Sequence, residues 1–185
     1  MNEDLVVRAQ SGDHDAFAAL TDAVVGWMYN TARLVLHGDD RAEDAVQDAL
    51  LQAWLNIRGL RDPSKFDFWL RRLLVHACYR AAKRERVRTA TEVRTAPLAE
   101  PSSPDGLGSV AARDELARGF RRLSTDQRAV LVLHFYLDLP DAQVADALGV
   151  PIGTMKSRLN RATSALRSAL DAEERRVGPV EEWTA

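Results

Sequence analysis

The sequence predicts an all-α protein made of two small helical domains joined by a flexible linker. Apolar residues recur at steps of three and four along most of the chain. No segment alternates apolar and polar residues as a half-buried strand would. One internal stretch holds almost nothing to bury. With 185 residues, 46% hydrophobic and 28% charged, the chain can fill two modest cores. No apolar run approaches the roughly 20 residues of a membrane-spanning helix, so no membrane insertion is expected. The start, "MNEDLVVRAQ", is acidic and amphipathic and lacks the basic end and apolar core of a signal peptide. The single cysteine, Cys78, allows neither an intramolecular disulfide nor a multi-cysteine metal site, which fits a cytoplasmic protein.

From Asp15 to Leu36, one buried stripe is formed by Phe17, Leu20, Val24, Trp27, Leu34 and Val35, with Thr31 its one polar member. Gly38 is expected to stop this helix and Asp39 or Asp40 to cap the next, which runs to about Ile57. Gly59 and Pro63 punctuate the following break. A further helix carries Phe66, Leu70, Leu73, Leu74, Ala77 and Ala81 in register and ends in the basic run "KRERVR". From Thr89 to about Val110 the chain is rich in Pro, Gly and small polar residues, the composition of a flexible linker. Helices resume near Ala111, and Ser124 with Gln127 three residues on forms a capping box. The expected organisation is therefore a domain over 1–90, a linker over 91–110, a domain over 111–170 and a polar tail over 171–185.

The net charge of −2 hides a segregation. Residues 1–60 carry a net −6, residues 61–90 a net +6 and residues 121–170 a net +3. Two basic zones far apart in sequence suit two contacts with a polyanion.

The second zone holds "VPIGTMKSRLNRATSAL". Pro is tolerated in the first turn of a helix, and Gly lets another surface come close. Met155, Leu159, Ala162, Leu166 and Leu170 recur as a buried stripe. Ser157, Asn160 and Arg161 lie opposite, with Thr154 and Lys156 nearby and Arg158 at the boundary. Arg and Asn pair with base edges, while Lys, Ser and Thr hold phosphates, so this is the pattern of a major-groove recognition helix. Upstream, Val144, Ala145 and Leu148 are apolar at helical spacing and Gly149 sits in a turn. Val150 and Ile152 are expected to pack between the two helices, completing a helix-turn-helix in the second domain.

At this point the residues resemble a known family. "LSTDQRAVLVLHFYLDLPDAQVADALGVPIGTMKSRLNRATSALR" resembles the −35-reading domain of bacterial extracytoplasmic-function (ECF) sigma factors. "AEDAVQDALLQAW" resembles the helix by which such factors grip the clamp helices of core RNA polymerase. "FDFWLRRLLVHACYRAAKRERVR" resembles the helix that opens and reads the −10 element. The resemblance spans roughly residues 5–170, in the family's order. It implies an RNA polymerase sigma factor whose partners are core polymerase, at its clamp and flap regions, promoter DNA and an anti-sigma factor. Several positions depart from the family pattern: Pro140 where Ser or Thr usually caps, His76 where Asn is frequent, Arg80 where Asp is frequent, and Asn160 in place of a bulkier residue.

Spacing puts Asp44, Gln47, Asp48 and Leu51 on one side of a helix, and the resemblance implies that this side docks on the polymerase. Trp54 continues the line and is expected in the core. Arg72, His76, Arg80 and Lys83 form a basic ridge of the kind that tracks a DNA strand. Phe66 and Trp69 are expected in the core and Phe68 at the surface, where it would meet unpaired bases. In the family the preceding loop, here Arg61 to Lys65, holds a flipped base.

His14, His37, His76, His134 and Cys78 are scattered, with no pair at metal-ligand spacing. No catalytic constellation or glycine-rich phosphate loop is present, so neither an enzyme nor a cofactor is expected. Two rival readings are a helix-turn-helix regulator that acts without polymerase and a helical adaptor whose basic faces meet acidic proteins. The acidic first helices are expected to oppose DNA binding by the free chain.

Overall fold

The computed structural model describes residues 3–91 and 110–177. The expected linker beyond Thr91 and the tail from residue 178 lie outside the described residues.

The first domain is built on α2 (His14–Leu36), α3 (Asp39–Asn56) and α4 (Phe66–Thr91), with α1 (Glu3–Gln10) packed on α2. Asp13 caps α2 by accepting from the Ala16 N–H at 3.0 Å. Thr31 is fully buried because its hydroxyl donates to the Trp27 carbonyl at 2.7 Å, which satisfies it within the helix. The stop after α2 differs from the expectation. His37, not Gly38, adopts the left-handed conformation (φ 58°), and its N–H closes on the Arg33 carbonyl. Gly38 then runs extended, and Asp39 and Asp40 lie inside the first turn of α3 instead of capping it. There they favour the positive end of the helix dipole. Two short 3₁₀ turns, Ile57–Gly59 and Pro63–Lys65, make the bend into α4. The Gln10 amide ties this bend to α1 by donating to the Ile57 and Leu60 carbonyls at 3.0 and 2.6 Å.

The second domain comprises α5 (Val110–Arg121), α6 (Thr125–Leu131), α7 (Asp141–Leu148) and α8 (Ile152–Val177), with the first three packed against α8. The helix α8 continues seven residues past Leu170 into the segment read from sequence as tail. Gly119 lets α5 approach α8, since a Cβ there would sit 2.9 Å from Leu170 Cδ2 and 3.1 Å from Leu166 Cδ1. The Ser124–Gln127 capping box is present in both directions. After Leu131 the chain widens into a π-helical turn, Val132–Tyr136, not anticipated from sequence.

The two domains touch. α7 packs along α4, and α6 and the π turn meet α2. Arg128, only 9% exposed, joins them. Its Nε donates to the Val35 carbonyl at the end of α2 (2.7 Å), and its Nη1 donates to the Leu123 carbonyl (2.9 Å). Burial pushes the guanidinium down to about 10, still far above neutral, so it meets the negative end of the α2 dipole as a cation. Arg128→Met is expected to leave these buried carbonyls unpaired and to cost about 2–3 kcal/mol. A shift of the urea midpoint to lower denaturant checks this; an unchanged midpoint would count against it.

Candidate nucleic-acid interface

The helix-turn-helix is formed by α7, a left-handed Gly149 (φ 66°) and α8. Val144, Ala145 and Leu148 are buried between the helices, and Val150 packs against them. Ile152 does not. It is 48% exposed at the first turn of α8, where it faces outward with Pro151 and Gly153. A Cβ on Gly153 would meet nothing within 4 Å, so this end of α8 is open to an approaching surface. Pro140 stands at the N-cap of α7 without a side-chain cap, as its chemistry requires.

Along α8, Met155 and Ala162 are fully buried and Leu159 and Leu166 partly so. Lys156, Ser157, Asn160 and Arg161 are exposed, while Thr154 and Arg158 are half-buried. Several of these side chains are held by internal partners. Ser157 Oγ donates to the Thr154 carbonyl at 2.9 Å, and Arg161 Nε to the Ser157 carbonyl at 3.2 Å. Lys156 Nζ lies 3.6 Å from Asp141, whose other oxygen faces His134 Nδ1 at 3.6 Å.

On α3, Asp44, Gln47 and Leu51 are exposed together, Leu51 at 55%. Leu55, one turn further and 63% exposed, belongs to the same face; the step of four from Leu51 was the signal for it. Trp54 turns inward, in tilted ring contact with His14 (4.6 Å) and Phe17 (4.9 Å). Asp48 is three-quarters buried and faces α4. It accepts from Arg80 Nε and Nη2 at 3.2 and 3.1 Å, with Arg84 at 4.0 Å.

The ridge of α4 is present, with Arg72, Arg80 and Lys83 exposed and His76 half-buried. Phe66 is in the core and Trp69 is half-buried at 6.0 Å from it; Phe68 is half-buried. In the preceding loop, Arg61 and Lys65 are exposed, and Asp62 holds the turn by accepting from the Ser64 N–H and hydroxyl. Arg80, Lys83, Arg84 and Arg88 line a shallow groove together with the exposed Val87. Sequence reasoning missed a second buried flank of α4: Val75 and Ala82 are also buried, though they point elsewhere on the helix than Leu70 and Ala77.

Two helical domains, the second a helix-turn-helix with an open, polar and basic recognition face, define a DNA-binding protein. Residues 20–88 match the family Sigma-70 region 2, and residues 113–166 match Sigma-70, region 4. The chain is 33% identical to the ECF RNA polymerase sigma factor SigM of Mycobacterium tuberculosis, over 91% of this chain and 84% of that one. It is 35% identical to SigL of the same species, over 80% and 84%. It is 25% identical to SigW of Bacillus subtilis, over 89% and 94%. Among solved structures it resembles the sigma factor RpoE, co-crystallised with the anti-sigma factor NepR from Bartonella quintana. That likeness has a TM-score of 0.64 and 26% identity, covering 84% of this chain and 96% of that one. CnrH, solved with the cytosolic domain of CnrY, shares the fold at a TM-score of 0.62 and 24% identity, over 92% and 97%. The chain belongs to the ECF RNA polymerase sigma factors.

Two half-buried histidines sit among cations. His76 is held below its ordinary range by burial first, then by Arg72 and Arg80; His37 likewise by burial, then by Arg128, Arg121 and Arg41. Each is neutral in the fold where the unfolded chain would already take up a proton. Stability is therefore full above the unfolded pKa of about 6.5 and declines as pH falls through the folded values. Denaturation midpoints measured between pH 7.5 and 5 are expected to fall, and His37→Gln with His76→Gln to flatten that fall. An equally steep profile in the double variant would assign the effect elsewhere.

Proposed function

We propose that this sigma factor docks on core RNA polymerase through Asp44, Gln47, Asp48 and Leu51 of α3. It then reads the −10 element with Arg61, Lys65, Phe68, Arg72, His76, Arg80 and Lys83. The −35 element is read by Thr154, Lys156, Ser157, Arg158, Asn160 and Arg161. The observation that carries this reading is the division of α8 into a buried Met155–Ala162 stripe and an exposed polar face at its N-terminal end. Phosphates are favoured there by charge and by the helix dipole, and base edges by Asn160 and Arg161.

The chemistry of transcription then belongs to the polymerase, and this chain supplies recognition within the cytoplasm. No helix among the described residues is long and apolar enough to cross a membrane. Two modest DNA contacts carried on one chain reinforce each other through effective concentration. The co-crystallised relative supports an anti-sigma factor as a further partner.

Binding of the labelled chain to purified bacterial core polymerase is the deciding measurement. Tight binding is expected, and it should be lost in Leu51→Glu, which places a charge on an exposed apolar contact without touching the core. No binding by the folded wild type would reject the assignment. Arg161→Ala is expected to weaken initiation that depends on the −35 element by about 1–3 kcal/mol. Unchanged initiation by the Arg161 variant would remove that residue from the contact.

A further inference from the structure

One member of the −35 surface, Lys156, is already paired within the chain. Its Nζ lies 3.6 Å from one oxygen of Asp141, in the first turn of α7. The other oxygen of Asp141 faces Nδ1 of His134, on the π turn, also at 3.6 Å. Three elements thus bring a cation, a carboxylate and an imidazole into one line. Among the described residues, no further charged side chain stands at ion-pair distance from Lys156, Asp141 or His134. The π turn also packs on α2 and α6. Neither brings a charged group to the ring, and Arg128 of α6 is engaged by the Val35 and Leu123 carbonyls.

The two ends of the line differ. The Lys156 side chain is 61% exposed, that of His134 only 28%. Nδ1 of His134 is buried and no hydrogen bond satisfies it, while the Phe135 ring closes on the imidazole edge-on at 4.6 Å. A ring nitrogen hidden from water and set opposite a carboxylate gains a charge-assisted bond once it carries a proton. Imidazole is also the side chain whose charge ordinarily changes between pH 5 and 8. Asp141, for its part, opposes DNA: a carboxylate beside a phosphate-binding lysine repels the phosphate and holds part of the lysine's charge. We propose that His134 is a positioning residue for the −35 contact, acting through Asp141 on Lys156. With the imidazole charged, Asp141 bonds to His134 and Lys156 is released to the DNA backbone. The three groups carry no net charge with a neutral imidazole and one positive charge with a protonated one. Binding through the −35 element is therefore tighter on the acid side of neutrality. Asn160 and Arg161 are untouched, so affinity changes and sequence preference does not. This rests on the assignment of Lys156 to the −35 element above.

The test uses holoenzyme assembled from core polymerase and the full chain. Its probes are a duplex that wild-type holoenzyme selects from a randomised DNA pool and the same duplex with its −35 element scrambled. On the selected duplex, wild type is expected to bind more tightly at pH 6 than at pH 8, on either side of the ordinary histidine range. The gain should be severalfold, the scale of an exposed ion pair. His134→Gln should lose most of that gain, although His14, His37 and His76 remain in it. Asp141→Asn should bind more tightly than wild type at pH 8, with a salt slope steeper by about one phosphate. Adding His134→Gln to Asp141→Asn should then change little further. A merely structural residue would move affinity alike at both pH values and leave the salt slope unchanged. A His134→Gln profile as steep as that of wild type overturns the proposal, and so does an Asp141→Asn chain that binds no tighter at pH 8. A wild type that binds both duplexes equally at every pH removes the −35 reading itself, and the proposal with it.

Discussion

The structure turns on the position of α4, a helix that must hide apolar surface on more than one side while presenting cations on what remains. Leu70, Leu74, Ala77 and Ala81 belong to the bundle with α2 and α3, and Val75 and Ala82 are buried on another flank. Little circumference is left, and it carries Arg72, His76, Arg80 and Lys83. A surface helix of an isolated domain has one apolar stripe and a broad polar back. Here the back is narrow, so Arg72 and Arg80 lie within reach of carboxylates on neighbouring helices. Asp48 and Asp146 are the consequence: each stands where a domain or helix comes close enough to meet the ridge. The placement of α3 and α7 against α4 therefore decides both the packing and the charge that DNA would meet.

Arg128 shows the same economy in the second domain. A buried cation is costly unless its donors are met. Its guanidinium reaches carbonyls at the ends of two segments, Val35 in one domain and Leu123 in the other. Helix C-termini leave carbonyls without intrahelical partners, and one side chain satisfies both ends at once. The left-handed turn at His37 immediately after Leu36 keeps that end of α2 from running on.

Much of this was legible in the sequence because helical periodicity reports burial directly. The stripes of α2, α4 and α8, the capping box at Ser124 and the turn at Gly149 all follow from local chemistry, and the exposed face of α8 follows from its buried one. What was not legible depends on neighbours distant in sequence. Val75, Cys78 and Ala82 follow steps of three and four and widen the apolar arc of α4, an arc that is buried only because elements distant in sequence cover it. Thr31 read as a lapse because its hydroxyl bond to the Trp27 carbonyl is invisible to hydropathy. Ile152 was assigned to the seam by its apolarity, but the helix begins there and its side chain leaves the contact. The π turn at Val132–Tyr136 carries no compositional mark at all. Its effect is to leave Phe135 and Tyr136 more than half exposed beside the buried Val132 and Leu133.

The pairing of Asp48 with Arg80 also changes what the departures from the family pattern mean. An arginine where the family often has an aspartate looks, from sequence alone, like altered base preference. In the folded chain it answers a carboxylate on the adjacent helix, and Arg84 stands at 4.0 Å from the same oxygen. His76 likewise replaces a frequent asparagine at a point where the ring meets the Gly149 turn. Both substitutions fall where α4 faces another element, so their first physical effect is on how α4 is covered. In the folded chain the polar atoms of both side chains already lie against a neighbouring element, Asp48 of α3 for Arg80 and the Gly149 turn for His76.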